Sequence, residues 1–292
     1  MMSDFAPKQL LCPYDFSEAS KIALRWAGSL AQTFGAAVTA IHAEPPVAPF
    51  EFTPDMVSAL AAGIEAARQF AIDQAVLEVG QTMPAGVRYQ VQVSGMIPAE
   101  AIVSKADQME ADLVVMGTHG HGSLHRLLVG SVTDEVVRRV RCPVFVARDG
   151  HETLRLERIL CPVNRTPLAK RLLAIGASLA SAYEAELLVL HVMDPHDEER
   201  AAGEPDEAEA VCAELAAEAG SGCPYRTLTV RGNAAEQIVR AAREEKATLT
   251  LVGARSKPFL DFTVIGATTE RVMRHAPLSV LVVPDRPTGE LT

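Results

Sequence analysis

Three glycines and a serine carry the strongest chemical signal in the chain. Gly117-Thr118-His119-Gly120 follows the apolar run Leu113-Val114-Val115-Met116, and Gly130-Ser131 comes nine residues after Gly120, giving Gly-x2-Gly-x9-Gly-Ser. A loop that turns sharply off a buried strand and brings backbone N–H groups against a ligand favours glycine for both tasks. After Gly130, residues Val132, Val136, Val137 and Val140 recur at helical spacing. Gly130 and Ser131 are therefore expected at a helix N-terminus, where unsatisfied N–H groups and the helix dipole favour an anion. Strand, glycine loop and helix start together read as a phosphate cradle. The Ser131 hydroxyl could bond a phosphate, help hold a Mg²⁺ ion bridging phosphate oxygens, or cap the helix.

A second candidate is Asp15, just past the apolar stretch Leu10-Leu11-Cys12. Its carboxylate could accept hydrogen bonds from a ribose hydroxyl or an adenine amino group, or could serve a turn, since Ser17 and a helix follow. His119, His121 and His125 invite a metal reading. Gly120 and Gly122 oppose the helix that would align the last two, and zinc would need a fourth ligand. A loop lining a phosphate site is the simpler assignment, with His121 and Arg126 either covering the polyphosphate or standing in solvent.

Elements that position these residues follow from periodicity. Short Val/Ile/Leu runs alternate with longer helical patterns, the signature of βαβ units and a parallel sheet. Strands are expected near 9–12, 37–42, 88–93, 112–116 and 143–147. One helix should start at Ser17 and bury Ala19, Ile22, Ala23, Trp26, Ala27 and Leu30. Another, from Pro54 to about Leu77, should present Val57, Leu60, Ile64, Ala67 and Ala71 to the core or a domain interface.

The pattern then repeats. Leu11-Cys12-Pro13 recurs as Leu160-Cys161-Pro162, Ile41-His42 as Leu190-His191, and the stretch from Gly117 to Val146 aligns without a gap to Gly253 through Val282. The chain reads as two copies of one domain, residues 1–149 and 154–286, joined near Arg148-Asp149-Gly150-His151-Glu152. The second copy has Asn164 for the aspartate, Ser256 for the second glycine and Ala267 for the serine, so its site is expected to be degenerate. The apolar ends Val144-Phe145-Val146 and Val280-Leu281-Val282-Val283 are expected to pair within the chain, with a homodimer as a further candidate assembly.

These features resemble the universal stress protein family, whose ATP-binding members carry Gly-x2-Gly-x9-Gly-(Ser/Thr) here. The segments 10–17, 40–43, 94–98 and 141–146 are similar to the family's strand ends. The resemblance implies an α/β fold of two tandem doubly wound domains, Rossmann-like and of the adenine-nucleotide alpha hydrolase type. Each would have a five-stranded parallel sheet in the order 3-2-1-4-5, which sets strands one and four side by side where the strand order reverses and ligands bind. It further implies ATP, with Mg²⁺ as a candidate companion, against Pro13, Tyr14, Asp15, Ala43, Met116, Gly117, His119, Gly120, His121, Gly130, Ser131 and Val132. Ala43 would read the adenine edge through its backbone; Gly117 and Gly120 would let the loop approach ribose and phosphates; and Gly130, Ser131 and Val132 would donate N–H groups.

Composition narrows the partners. A net charge of −10 over 292 residues argues against nucleic acid or an anionic membrane as the main partner. The stretch from Asp194 to Glu218 is acidic, with Arg200 as its cation, and reads as a solvated loop and helix. Five cysteines without a CxxC pair favour reduced, packed thiols. Residues 1–8 show no secretory pattern and no apolar run reaches about 20 residues, so a cytoplasmic protein is expected. Without a Gly-x4-Gly-Lys-(Ser/Thr) loop or a clear general base beyond Asp15, bound ATP is expected to signal to a protein partner or stabilise the fold. The alternatives are a slow ATPase or phosphotransferase, and a structural dimerisation module that binds no nucleotide.

Overall fold

A computed structural model of the chain describes residues 5–44, 54–119, 129–150, 154–164, 166–193, 223–256 and 263–285. The first half runs β1 (Gln9–Pro13), α1 (Glu18–Phe34), β2 (Ala37–Ala43), α2 (Pro54–Thr82), β3 (Arg88–Ser94), α3 (Pro98–Gln108), β4 (Leu113–Gly117), α4 (Ser131–Arg139) and β5 (Val144–Ala147). The second runs β6 (Arg158–Val163), α5 (Pro167–Tyr183), β7 (Glu186–Met193), β8 (Tyr225–Arg231), α6 (Ala234–Glu244), β9 (Leu249–Ser256), β10 (Thr263–Val264), α7 (Ala267–His275) and β11 (Ser279–Pro284). The acidic stretch expected after Asp194 lies outside the described residues.

Each half has the anticipated parallel order, but the two sheets are one. The path is β3-β2-β1-β4-β5-β11-β9-β6-β7-β8, with the short β10 antiparallel to β9. The join is the antiparallel pair of β5 and β11, with Val144 opposite Val282, Phe145 opposite Leu281 and Val146 opposite Val280. Two apolar edges that would otherwise template association thus satisfy each other within the chain.

Strand residues alternate between two cores because side chains on a strand point to opposite faces. Leu10, Cys12 and Phe145 face α1 and α5, with Trp26 tilted on Phe145 at 5.2 Å between ring centroids. Leu11, Val114 and Val146 face α3, α4, α6 and α7. Helix α1 starts where expected: the Ser17 side chain accepts from the Ser20 N–H, and the helix ends at Gly35, whose φ of 63° allows the left-handed cap. Trp26, Cys12, Cys142 and Cys161 are buried, as their placement on apolar stripes and strand ends predicts.

Of the stripe expected on α2, the position of Ile64 is corrected, while Ala71 is half-buried. Ile64 is 43% exposed, and the C-terminal part of the helix is anchored by Ala75 and Val79, with Met83 buried just beyond its end. Helical spacing establishes a helix without saying how far along it the core reaches. The side chains of Val57, Leu60 and Ala67 lie outside the described residues.

Candidate functional site

Strand β1 lies between β2 and β4, and all three end at the same edge of the sheet. The exits of β1 and β4 with the start of α4 enclose a cavity of about 680 Å³. Of the residues expected at the site, Pro13, Tyr14, Asp15, Ala43, Met116, Gly117, His119, Gly130, Ser131 and Val132 all line it. Gly120 and His121, with His125 and Arg126, lie outside the described residues.

The β1 exit is held by its own turn. Asp15 Oδ1 accepts from the Ser17 N–H at 3.1 Å and the Ser17 hydroxyl at 2.5 Å, while the Ser20 hydroxyl accepts from the Asp15 N–H at 3.3 Å. The turn role considered for Asp15 is therefore present in the structure, and it fixes the carboxylate at the cavity wall. Phe16 completes the turn at a positive φ of 64°. Its ring meets those of Tyr14 and His42 edge-on, each at 5.0 Å. The Tyr14 phenol donates to Glu78 on α2, and burial with that carboxylate raises its pKa, keeping it neutral.

Two details of the glycine loop come from packing and hydrogen bonding. At Gly117, which lines the cavity, a Cβ would lie 2.7 Å from the carbonyl carbon and oxygen of Ala19, so this glycine also lets α1 pack on β4. The Gly130 N–H donates to the Thr118 carbonyl at 2.6 Å and is thereby committed to closing the loop. Donation toward an anion accordingly falls to Ser131, Val132 and Thr133 in the first turn of α4, where Gly130 supplies no side-chain cap. A Cβ on Gly130 would stand 3.3 Å from the His119 Cα, which explains the glycine by close approach of loop and helix. The Thr133 hydroxyl donates to the Gly117 carbonyl at 3.0 Å, tying α4 to the end of β4.

Residues missed by sequence reasoning include Ser20, His42, Pro98, Ile102, Val129 and Thr133, all lining the cavity. His42 Nδ1 lies 2.8 Å from the Tyr14 carbonyl, joining the ends of β2 and β1. A signal existed for two of them: His191 repeats the contact with Val163 at 3.2 Å, and Thr269 repeats the bond to Gly253 at 2.7 Å. Among the described residues lining the first cavity none is Lys or Arg, and the first-turn N–H groups of α4 offer an anion backbone donors.

The equivalent crevice in the second half is smaller, about 390 Å³. Leu168 and Leu172 enter it where the repeat has Ala19 and Ala23, and Val192 takes the place of Ala43. Asn164 stands in the Asp15 position and accepts from the Thr166 hydroxyl at 2.6 Å, while Ala267 opens α7 without a hydroxyl. Ser256 is the last residue of β9; its side chain lies outside the described set.

Among the described residues no helix is long and apolar enough to cross a membrane, and no group of three or more His, Cys, Asp or Glu is placed to hold a metal ion.

Similarity to known proteins follows this architecture. The Universal stress protein MJ0531 of Methanocaldococcus jannaschii is 33% identical over 48% of this chain and 82% of its own length. The Universal stress protein Rv2623 of Mycobacterium tuberculosis is 28% identical over 92% of this chain and 93% of its own. In fold, the chain is similar to the crystal structure of a universal stress protein from Archaeoglobus fulgidus, with a TM-score of 0.70 at 18% identity, covering 94% of this chain and 98% of that one. The profile of the Universal stress protein family matches twice, at residues 7–148 and 155–284. With both halves matched and joined through one sheet, the chain belongs to the universal stress protein family in a tandem, two-domain form.

Proposed function

We propose that the chain is an ATP-binding stress-response protein that holds the nucleotide in its first half and uses the bound state as a signal. The observation that carries this reading is the uncapped first turn of α4 opening into the same cavity as the Asp15 carboxylate. Triphosphate oxygens would accept from the N–H groups of Ser131, Val132 and Thr133, and Asp15 would accept from ribose or base. Ile41, Pro98, Ile102 and Met116 offer an apolar wall to the adenine. The cavity volume is in the range of small-ligand sites, about 300–1,000 Å³. A Mg²⁺ ion accompanying the nucleotide would neutralise phosphate charge, and the Ser131 hydroxyl is the side chain that would help hold it.

Turnover is expected to be slow. Among the described residues lining the cavity, none is arranged as a nucleophile and base pair, and Asp15 Oδ1 is already bonded to Ser17. ATP would instead favour one arrangement of the loop between Gly117 and Gly130 and so shift the surface offered to a protein partner. A cytoplasmic location suits such a role. The second half reads as a structural partner, because Leu168 and Leu172 occupy part of the space a nucleotide needs. Mass spectrometry of the supernatant released by heating the purified protein tests the assignment: adenine nucleotide supports it, and a protein that neither releases nor takes up ATP contradicts it.

A further inference from the structure

The halves share a backbone but differ in surface charge. Helices α3, α4, α6 and α7 cover one face of the joined sheet, on either side of the β5–β11 seam. Between α6 and α7 lies an open groove of about 370 Å³, walled by Arg240, Arg243 and Arg271. All three arginines are exposed. At the equivalent positions on α3 and α4 the repeat places Ser104, Asp107 and Glu135.

Existing pairs do not cancel this contrast. Arg240 bonds Glu244 at 2.7 Å, Arg271 lies 3.6 Å from Glu236, and Glu135 bonds Arg139 at 2.7 Å. These are exposed pairs of small individual worth, free to rearrange against a partner. With Asp134 paired to Arg138 and Glu270 to Arg274, the three arginines of the second half outnumber Glu236 and Glu244, and on the first half Glu100, Asp107 and Glu135 outnumber Lys105 and Arg139.

We propose that this helical face docks a second copy of the same chain, face to face, with the α6–α7 groove of each copy on the α3–α4 surface of the other. Both patches lie on one face, on opposite sides of the seam. A two-fold axis between the copies and parallel to the seam brings each basic patch onto an acidic one, and closed two-fold pairing is the commonest form of homo-oligomer. Charge complementarity would set the register of the pair. Ser104, Asp107, Glu135 and the three arginines are not among the residues lining the first-half cavity, so the variants below leave that lining unchanged.

Sedimentation equilibrium of the full chain provides the test. The wild type should form dimers at low salt, with a dissociation constant that rises roughly tenfold or more in about 1 M salt, where charges are screened beyond ~3 Å. Arg240→Ser/Arg243→Asp/Arg271→Glu makes both faces acidic, and Ser104→Arg/Asp107→Arg/Glu135→Arg makes both basic. Each variant alone should be monomeric, and an equimolar mixture of the two should dimerise, which also shows that both remain folded. A monomeric wild type, a dimer that survives either triple variant, or a mixture that stays monomeric would overturn the proposal.

Discussion

The Gly130 N–H and the Thr118 carbonyl oxygen lie 2.6 Å apart, so the end of β4 and the start of α4 are bonded directly, whatever the loop between them does. That bond holds the first-turn N–H groups of α4 at a fixed place over the sheet edge. Substituting Gly130 by Val puts a Cβ 3.3 Å from the His119 Cα, with two methyls beyond it, and must push loop and helix apart. Calorimetric titration should show ATP affinity falling roughly tenfold or more, a change of about 1.4 kcal/mol. Ser131→Ala leaves the backbone donors in place and should cost about 0.5–1.5 kcal/mol, the net worth of one hydrogen bond.

Gly117→Ala should act on the fold itself. Its Cβ would meet the Ala19 backbone at 2.7 Å, where no flexible side chain can yield. A loss of about 1–3 kcal/mol, typical of overpacking, is expected in denaturant unfolding without any nucleotide. Unchanged stability with weakened ATP binding would leave Gly117 with a ligand-approach role alone.

Arg148 should couple the halves. It follows β5 of the first half, yet its guanidinium donates to the carbonyls of Met273 and Arg274 in the last turn of α7 in the second half. A cation at a helix C-terminus is favourable, and this one is buried. Arg148→Ala should cost about 1.5–3 kcal/mol, the value of hydrogen bonds to a charged group. Retained stability, or an unchanged scattering profile with a single melting step, would show that β5 and β11 alone hold the seam.

Stability should fall in alkali. Burial pushes the Cys142 thiol up to about 12 and raises Cys12 and Cys161 further. An unfolded thiol ionises near pH ~8.5 while the folded one stays protonated, so the folded state binds more protons above that pH. Their contribution is intact below pH ~8.5 and is lost as pH rises toward the folded values, by up to about 1.4 kcal/mol per pH unit for each thiol. Urea unfolding at a series of alkaline pH values should show this slope, and Cys142→Ala should flatten it; an unchanged slope would refute the assignment.

Fold and site were legible to different depths. Short apolar runs and the glycine spacing are local signals, so β1, β4, the α1 cap and the start of α4 could be placed from sequence. Contacts between distant segments could not. Nothing near His42 announces the Tyr14 carbonyl, and the glycine at 117 is explained by Ala19, a residue on another element. The exposure of Ile64 was equally hidden, since periodicity says nothing about where a core ends. The narrowing of the second crevice was visible in the repeat as Leu168 and Leu172 against Ala19 and Ala23, but only with the fold in hand do those positions become cavity walls.

Titration calorimetry of the intact chain with ATP and Mg²⁺, reporting stoichiometry on fully active protein, tests the central claim most directly. One ATP per chain, lost in Gly130→Val and unaffected by Ala267→Val at the equivalent helix start of the second half, is the expected result. Two ATP per chain, no binding at all, or binding abolished by Ala267→Val but retained in Gly130→Val would contradict the assignment of the nucleotide to the first-half cavity.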